Sequence, residues 1–160
     1  MPTNVETFKT ALFNEVKSEV FYRMAAESTK RDDCAMVFME LADFEGDHAR
    51  QLCERVADSP YYKGFDAPSY VAKLEESVQA TVSPKDEQTI REGDMRAVLK
   101  LAKRLEIESR DTYRALARGT DDPAVKAFCE ELSRMEAGHL DEIIKLERAM
   151  EMPEEERPAL

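Results

Sequence analysis

The chain has 160 residues, enough for one ordinary domain to bury about two-thirds of its unfolded surface in a hydrophobic core. Its 34 acidic residues against 23 basic ones give a formal net charge of −11, which argues against nucleic acid or an anionic membrane as a partner, because both would repel the chain. No basic stretch leads into an apolar segment near residue 1, and nowhere do about 18 apolar residues run together, so we expect a cytoplasmic protein with no membrane partner.

Two antiparallel helices are predicted for residues 3–59. Thr3 followed by Glu6 is a capping box, and apolar residues at helical spacing after it predict a first helix of about 26 residues. A polar turn follows, in which Asp32 or Asp33 can cap a second helix with the same apolar period. We therefore expect a helical hairpin.

Residues 60–93 interrupt this pattern with prolines and glycines, and within them Tyr70–Ala80 alone has the pattern of a short helix. A stretch of this length allows the helices before and after it to run parallel, so we interpret it as a long crossover. Its aromatic residues are expected to cover one end of the helices, with a dimer contact as the alternative. They are Tyr61, Tyr62, Phe65 and Tyr70.

A second helical hairpin is predicted for residues 94–152. Asp94 can cap its first helix, whose apolar period ends at Gly119, and the acidic pair before Pro123 can open its second helix. We expect residues 153–160, which begin with a proline and are mostly charged, to form a flexible acidic tail.

The two hairpins are copies of one another. Residues 11–58 align with residues 102–149 without a gap, and eleven of these positions carry the same residue. Two copies of one hairpin, joined by a long crossover, predict an all-α protein in which residues 1–152 form one four-helix bundle.

The only two histidines of the chain lie 91 residues apart, and each ends a Glu-x-x-His sequence. Residues three apart on a helix project from one face, so Glu45 lies beside His48 and Glu136 beside His139. In so acidic a chain one such pair is a weak signal. The two pairs in register are a strong one.

Glu15 and Glu106 are expected to face these pairs across each hairpin. Each precedes the glutamate of its pair by 30 residues, and the midpoint falls in the predicted turn, so folding brings the two carboxylates level. Apolar residues on the same helix faces place all these groups in the core. Buried carboxylates cost several kcal/mol or become neutral, so a cation is expected beside them.

Two divalent metal ions would balance four carboxylates, with both imidazoles neutral. Oxygen and nitrogen donors without thiolate favour iron or manganese, with zinc as a further alternative, and open coordination positions favour redox chemistry with oxygen or peroxide. The predicted metal ligands are Glu15, Glu45, His48, Glu106, Glu136 and His139.

Tyr22 and Tyr113 follow Glu15 and Glu106 by seven residues, which is almost two helical turns. Helix side chains lean towards the N-terminus, so each hydroxyl is within reach of a ligand carboxylate. There a phenol can orient the ligand or supply a proton or an electron. The alternative is that both rings serve packing alone.

Glu19 lies one turn after Glu15, but the residue 91 positions later is Arg110, so the repeat favours Glu15 as the ligand. We expect Glu19 to pair with Arg110, with a role as an additional carboxylate of the site as the alternative.

The three cysteines, Cys34, Cys53 and Cys129, are odd in number and widely spaced. They predict neither a disulfide framework nor a Cys-x-x-Cys metal site, so we expect small core residues.

On these residues the chain resembles the rubrerythrin branch of the ferritin-like di-iron proteins. The motifs are Glu15-x6-Tyr22, Glu45-x2-His48, Glu106-x6-Tyr113 and Glu136-x2-His139. The resemblance covers both hairpins, about 100 residues, and implies a ferritin-like bundle that holds two iron ions. It also implies that the glutamates bridge or flank the irons and that each histidine caps one.

Two departures from that family matter. Full rubrerythrins carry a four-cysteine rubredoxin-like module, whereas this chain has no Cys-x-x-Cys, so the resemblance implies a separate electron donor such as a rubredoxin-type protein. Lys103 stands where rubrerythrins proper have a further glutamate ligand, one turn before Glu106, which leaves a symmetric set of six ligands.

The leading hypothesis is an oxidoreductase that reduces hydrogen peroxide or oxygen at a diferrous centre and so limits oxidative stress. Two alternatives stay open: a ferroxidase that stores or delivers iron, and a non-catalytic metal-binding bundle. Spare apolar surface around Phe13 and Met24 predicts a homodimer.

Overall fold

The computed structural model describes residues 3–57, 62, 64–78 and 82–156. These residues form six α-helices and no strand, with a short 3-10 turn at Glu154–Glu156. The predicted all-α class is confirmed. Four predicted features lie outside the described residues: the end of the second helix at residue 59, Tyr61, the end of the crossover helix at Ala80, and the last four residues of the tail.

The chain divides into two compact units, one ending at Glu92 and the other beginning at Gly93. Unit 1 contains the first hairpin and the crossover, and unit 2 contains the second hairpin. The boundary therefore falls where the crossover was predicted to end, and each unit holds one copy of the duplicated hairpin.

The first hairpin of unit 1 consists of α1, Asn4–Ser28, and α2, Asp32–Ala57. At the start of α1 the Thr3 hydroxyl accepts a hydrogen bond from the Glu6 amide, and the Glu6 carboxylate accepts one from the Thr3 amide, so the capping box is confirmed.

Asp32 and Asp33, predicted as alternative caps of α2, instead lie inside its first turn. The Asp33 carboxylate accepts hydrogen bonds from the Arg31 guanidinium and from the Cys34 amide. The contact with Arg31 lowers the pKa of Asp33. Negative charge in the first turn favours the helix dipole, so both residues still stabilise the start of α2.

The crossover contains two helices where the sequence predicted one. They are α3, Ala67–Ser77, and α4, Pro84–Glu92. The first begins three residues before its predicted start, because the Asp66 carboxylate accepts hydrogen bonds from the amide and the hydroxyl of Ser69.

The sequence of α4 has no apolar residues at helical spacing, because Ile90 is its one fully buried side chain. The helix begins at a proline, and the Ser83 hydroxyl accepts a hydrogen bond from the Asp86 amide. Its C-terminal end is attached to the turn of the first hairpin, where the Lys30 amide donates to the Arg91 carbonyl. Capping and one anchor residue, rather than an amphipathic face, therefore account for α4.

The crossover aromatics pack on the N-terminal part of α1. The Phe8 ring lies 5.2 Å from that of Tyr62 and 5.9 Å from that of Phe65, measured between ring centroids. The Lys9 ammonium lies over the rings of Phe65 and Tyr70, at 5.6 and 5.5 Å from their centroids. These described rings thus cover one end of α1 within their own unit.

Unit 2 contains α5, Met95–Arg118, and α6, Pro123–Glu151, which pack against each other. The predicted signals are confirmed at both starts. The Asp94 carboxylate caps α5 through the Ala97 amide, and the Asp122 carboxylate caps α6 just before Pro123. The Gly119 amide donates to the carbonyl of Ala115 at the end of α5.

The described part of the chain contains no helix with the length and apolar character that a membrane crossing requires. Cys34 and Cys129 are buried as predicted, whereas Cys53 is partly exposed, and all three thiols are free. Burial raises the pKa of the Cys34 and Cys129 thiols to about 11, and it also raises the pKa of Cys53.

Alkylation by iodoacetamide at pH 8 should modify Cys53 well before Cys34 and Cys129. The thiolate is the reactive form, and a thiol with a pKa of about 11 is almost entirely protonated at that pH. Both folded pKa values also exceed the ordinary value of 9.0. The contribution of these two thiols to the free energy of unfolding is therefore complete below pH 9 and is lost as the pH rises towards 11. Mass spectrometry of peptides sampled over time measures the order of modification. Simultaneous modification in folded protein would contradict the burial.

Replacing the anchor of α4 by Ile90→Ala should lower the free energy of unfolding by about 2–4 kcal/mol, because it removes buried methyl groups and leaves a cavity. Gln88 is exposed on the same helix, so Gln88→Ala is the matched control and should change that free energy by less than about 0.5 kcal/mol. Urea denaturation followed by circular dichroism measures both. Equal effects of the two substitutions would show that α4 does not pack as described.

Candidate metal centre

The acidic and histidine residues predicted for unit 1 come together in its hairpin. Glu15 extends from α1, and Glu45 and His48 extend from one face of α2. The two glutamates are completely buried and His48 is 5% exposed. The three-residue spacing on α2 and the hairpin turn thus assemble one group of polar side chains, which we call half-site 1.

The ligand atoms of half-site 1 converge. His48 Nδ1 lies 3.4 Å from Glu15 Oε2 and 3.8 Å from Glu45 Oε2. Metal bonds to nitrogen and oxygen ligands are about 2.0–2.2 Å long, so two ligand atoms on one ion are about 3–3.5 Å apart. The distance from His48 Nδ1 to Glu15 Oε2 fits two ligands on one metal ion, and Glu45 Oε2 lies about 0.3 Å beyond that range.

Half-site 2 is the copy in unit 2, with Glu106 on α5 and with Glu136 and His139 on α6. All three are buried. His139 Nδ1 lies 3.6 Å from Glu106 Oε2, and Glu136 and His139 present ligand atoms within 4.8 Å of each other. The duplication in the sequence is thus a duplication of side-chain geometry.

The surroundings of both half-sites are apolar. Leu12 and Val16, on either side of Glu15, are fully buried, as is Val98, two turns before Glu106. A carboxylate in such surroundings is stable in its charged form when a cation or hydrogen bonds offset the loss of water. Glutamate oxygens and imidazole nitrogens are donors that suit iron, manganese and zinc. The residues present therefore fit a metal ion in each half-site.

Both predicted tyrosines are completely buried, Tyr22 on α1 and Tyr113 on α5. The Tyr22 ring stacks on Phe38 at 6.3 Å between centroids and meets Phe21 edge-on at 5.6 Å. Each tyrosine lies on the helix that carries the glutamate seven residues before it. Packing therefore fixes the Tyr22 ring, while a role for either hydroxyl stays a prediction.

Glu19 has a partner that the sequence analysis did not consider. Its Oε1 accepts hydrogen bonds from Nε and Nη2 of Arg23, at 3.1 and 2.9 Å. The four-residue spacing of this pair on α1 is a signal that could have identified it. The predicted pair of Glu19 with Arg110 would join the two units and stays a prediction. Within unit 2 the Arg110 guanidinium contacts Asp111 at 3.1 Å.

Lys103 contacts another acidic residue of unit 2. Its ammonium lies 3.1 Å from the Glu147 carboxylate, and both side chains are partly exposed. The two residues are 44 positions apart, so no local pattern predicts the pair. An ion pair with Glu147 on the side of α5 is therefore the observed role of Lys103.

Comparison with known proteins agrees with this geometry. A family model described as Rubrerythrin matches residues 6–147, a range that includes every predicted ligand and both tyrosines. Neither the curated proteins nor the solved structures gave a significant match. With most of its length matched and with a buried glutamate and histidine set in each hairpin, the chain belongs to the rubrerythrin family.

Proposed function

We propose that the two half-sites form one dinuclear iron centre of a rubrerythrin-type oxidoreductase, which reduces hydrogen peroxide or oxygen with electrons from a separate donor. The observation that carries this proposal is the burial of two glutamates and a histidine in each unit, with the histidine Nδ1 at 3.4 and 3.6 Å from the glutamate of the facing helix. Family membership supports the same assignment.

Charge balance supports two metal ions rather than one. Four glutamates at the half-sites carry four negative charges when ionised, and two divalent ions carry four positive charges. A single ion would leave two buried negative charges uncompensated, at a cost of several kcal/mol. Glu15, Glu45 and His48 would hold one ion and their copies in unit 2 the other.

Two iron(II) ions would supply one electron each, and the reduction of hydrogen peroxide to two water molecules consumes two electrons and two protons. The protein must therefore deliver protons to a buried place. We assign that role to Tyr22 and Tyr113, whose phenols are buried on the ligand helices. The apolar residues around Glu15 exclude bulk water, which strengthens the electrostatic contacts inside.

In this proposal a separate protein supplies the electrons that reduce the oxidised iron centre again. A rubredoxin-like iron module needs four cysteines, and the sequence has three, which are free and lie on separate helical turns. A rubredoxin-type protein is the donor that we expect, and hydrogen peroxide or oxygen is the substrate.

We expect two copies of the chain to associate through α1 and α2. Phe13, Met36 and Phe44 are exposed on these helices at 41%, 66% and 42%. Exposed apolar side chains in such number favour a protein partner. Gel filtration separates this dimer from the shell that iron storage would need, because a dimer cannot enclose a mineral core.

Metal content provides the first test. His48→Ala and His139→Ala should each reduce the iron content of purified protein to about half, because each removes one nitrogen ligand from a different half-site. Glu40 is an exposed glutamate on α2, so Glu40→Ala is the matched control for Glu45→Ala. The control should keep the wild-type iron content, whereas Glu45→Ala, which removes a ligand of half-site 1, should lose about half of it. Inductively coupled plasma mass spectrometry measures the metals, and metal-free wild-type protein after growth with iron would overturn the proposal.

Oxidation kinetics provide the second test. Protein loaded with iron(II) without air and then mixed with hydrogen peroxide should oxidise at least about tenfold faster than after mixing with air-saturated buffer, if peroxide is the substrate. Stopped-flow absorbance follows the formation of iron(III).

Tyr22→Phe keeps the packed ring and removes the proton donor, so it should slow the peroxide reaction by about 10- to 100-fold with unchanged metal content.

Equal rates with both oxidants would argue for oxygen reduction or for the ferroxidase alternative, and the oligomeric state would then decide between them. An iron(II) protein that neither oxidant oxidises faster than free iron(II) would leave only the non-catalytic alternative.

A further inference from the structure

Gly46 lies inside the Glu-x-x-His sequence of half-site 1, between Glu45 and His48. A Cβ atom added to it would lie 2.9 Å from Glu19 Oε1 and 3.1 Å from Glu19 Cδ. Such contacts are shorter than van der Waals packing allows. The Glu19 carboxylate therefore occupies the space that a side chain at position 46 would need, and position 46 directly follows the predicted ligand Glu45 in the sequence.

Arg23 holds the carboxylate in that place. Its guanidinium donates two hydrogen bonds to Glu19 Oε1, and its Nη2 lies 3.5 Å from Asp43 on α2. The Glu19 side chain is 18% exposed and that of Arg23 is 42% exposed. The anionic end of this pair is thus more deeply buried than the cationic end.

Along α1 the anionic residue of this pair is also nearer to Glu15 than the cationic residue is. Glu19 is one turn and Arg23 two turns from Glu15, which corresponds to a rise of about 6 Å and about 12 Å. The negative charge is therefore closer to the ligands than the positive charge that pairs with it. Because the guanidinium is also better hydrated, water screens its charge more strongly.

Half-site 2 has the opposite arrangement. The residues 91 positions after Glu19 and Gly46 are Arg110 and Ala137. Unit 2 therefore has a guanidinium one turn from Glu106, whose partner Asp111 is the more exposed member of the pair, and a methyl group inside its Glu-x-x-His sequence. The duplication is symmetric in its six ligands but asymmetric in the charge next to them.

We propose that Glu19, placed over Gly46 and held by Arg23, makes half-site 1 the tighter of the two sites for divalent cations, so that half-site 1 fills first. This inference rests on the proposed dinuclear centre and adds an order of loading to it. The Glu19 carboxylate attracts a doubly charged ion, the Arg23 guanidinium farther along α1 offsets most of that attraction, and we expect the remainder to change the affinity by about tenfold.

The experiment isolates each half-site by removing the histidine of the other. His139→Ala keeps half-site 1 and His48→Ala keeps half-site 2, and each is titrated with Mn²⁺ while electron paramagnetic resonance reports the free ion. Mn²⁺ avoids oxidation during the titration. His139→Ala protein should bind the ion about tenfold more tightly than His48→Ala protein.

Glu19→Gln is then added to each background. It should weaken Mn²⁺ binding about tenfold in half-site 1 and less than about twofold in half-site 2. Glu27→Gln, an exposed change of the same charge on α1, is the matched control and should have little effect in either background. Arg110→Gln should strengthen binding in half-site 2, because it removes a positive charge there.

Gly46→Ala tests the placement without a change in charge. It should displace Glu19 and weaken half-site 1, and Glu19→Gln should cause little further loss in the Gly46→Ala protein. Ala137→Gly is the matched change in unit 2 and should leave Mn²⁺ affinity unchanged. Thermal melts of the metal-free variants separate these effects from loss of the fold.

Equal affinities of the two half-sites, or an equal loss from Glu19→Gln in both backgrounds, would overturn the inference and leave the dinuclear centre in place. Wild-type protein that binds no Mn²⁺ and no iron(II) would overturn both.

Discussion

Burying a carboxylate costs desolvation free energy, and the arrangement of each hairpin reflects how that cost is offset. Glu15 and Glu45 in unit 1, and Glu106 and Glu136 in unit 2, lie in a core of leucine, valine and phenylalanine side chains where solvation by bulk water is lost. A histidine joins each pair of glutamates within ligand distance. Without a cation these buried glutamates would destabilise a helical hairpin. A cation bound between the two helices would instead stabilise the one register that brings the glutamates and the histidine together.

The repeat explains how a short chain can bury six side chains whose donor atoms suit a metal ion. One hairpin with a glutamate on its first helix and Glu-x-x-His on its second supplies three donors, and duplication supplies the rest. The copies have since diverged in the residues beside the ligands, as Glu19 against Arg110 and Gly46 against Ala137 show. A substitution beside a metal ligand changes the surrounding charge without removing a donor atom.

Patterns local in the sequence predicted most of the fold, and contacts distant in the sequence did not. Helix caps were predicted correctly at Thr3, Asp94 and Asp122, because a capping side chain and the amide it binds are two or three residues apart in the sequence. The fourth helix was missed because a nine-residue polar helix with one buried residue has no apolar period. The proximity of the glutamate and histidine side chains in each hairpin was predicted from the repeat. The position of Glu19 over Gly46 depends on how closely α1 approaches α2, which no spacing in the sequence encodes.

The buried thiols have a consequence for the peroxide reaction that we propose. Peroxide attacks the thiolate form of cysteine and converts it stepwise to sulfenic and then irreversibly to sulfinic acid. Cys34 and Cys129, closed off from solvent and with their pKa raised to about 11, present almost no thiolate at neutral pH. The core thiols are therefore chemically resistant to the substrate we propose, and among the three cysteines oxidation is expected first at the partly exposed Cys53.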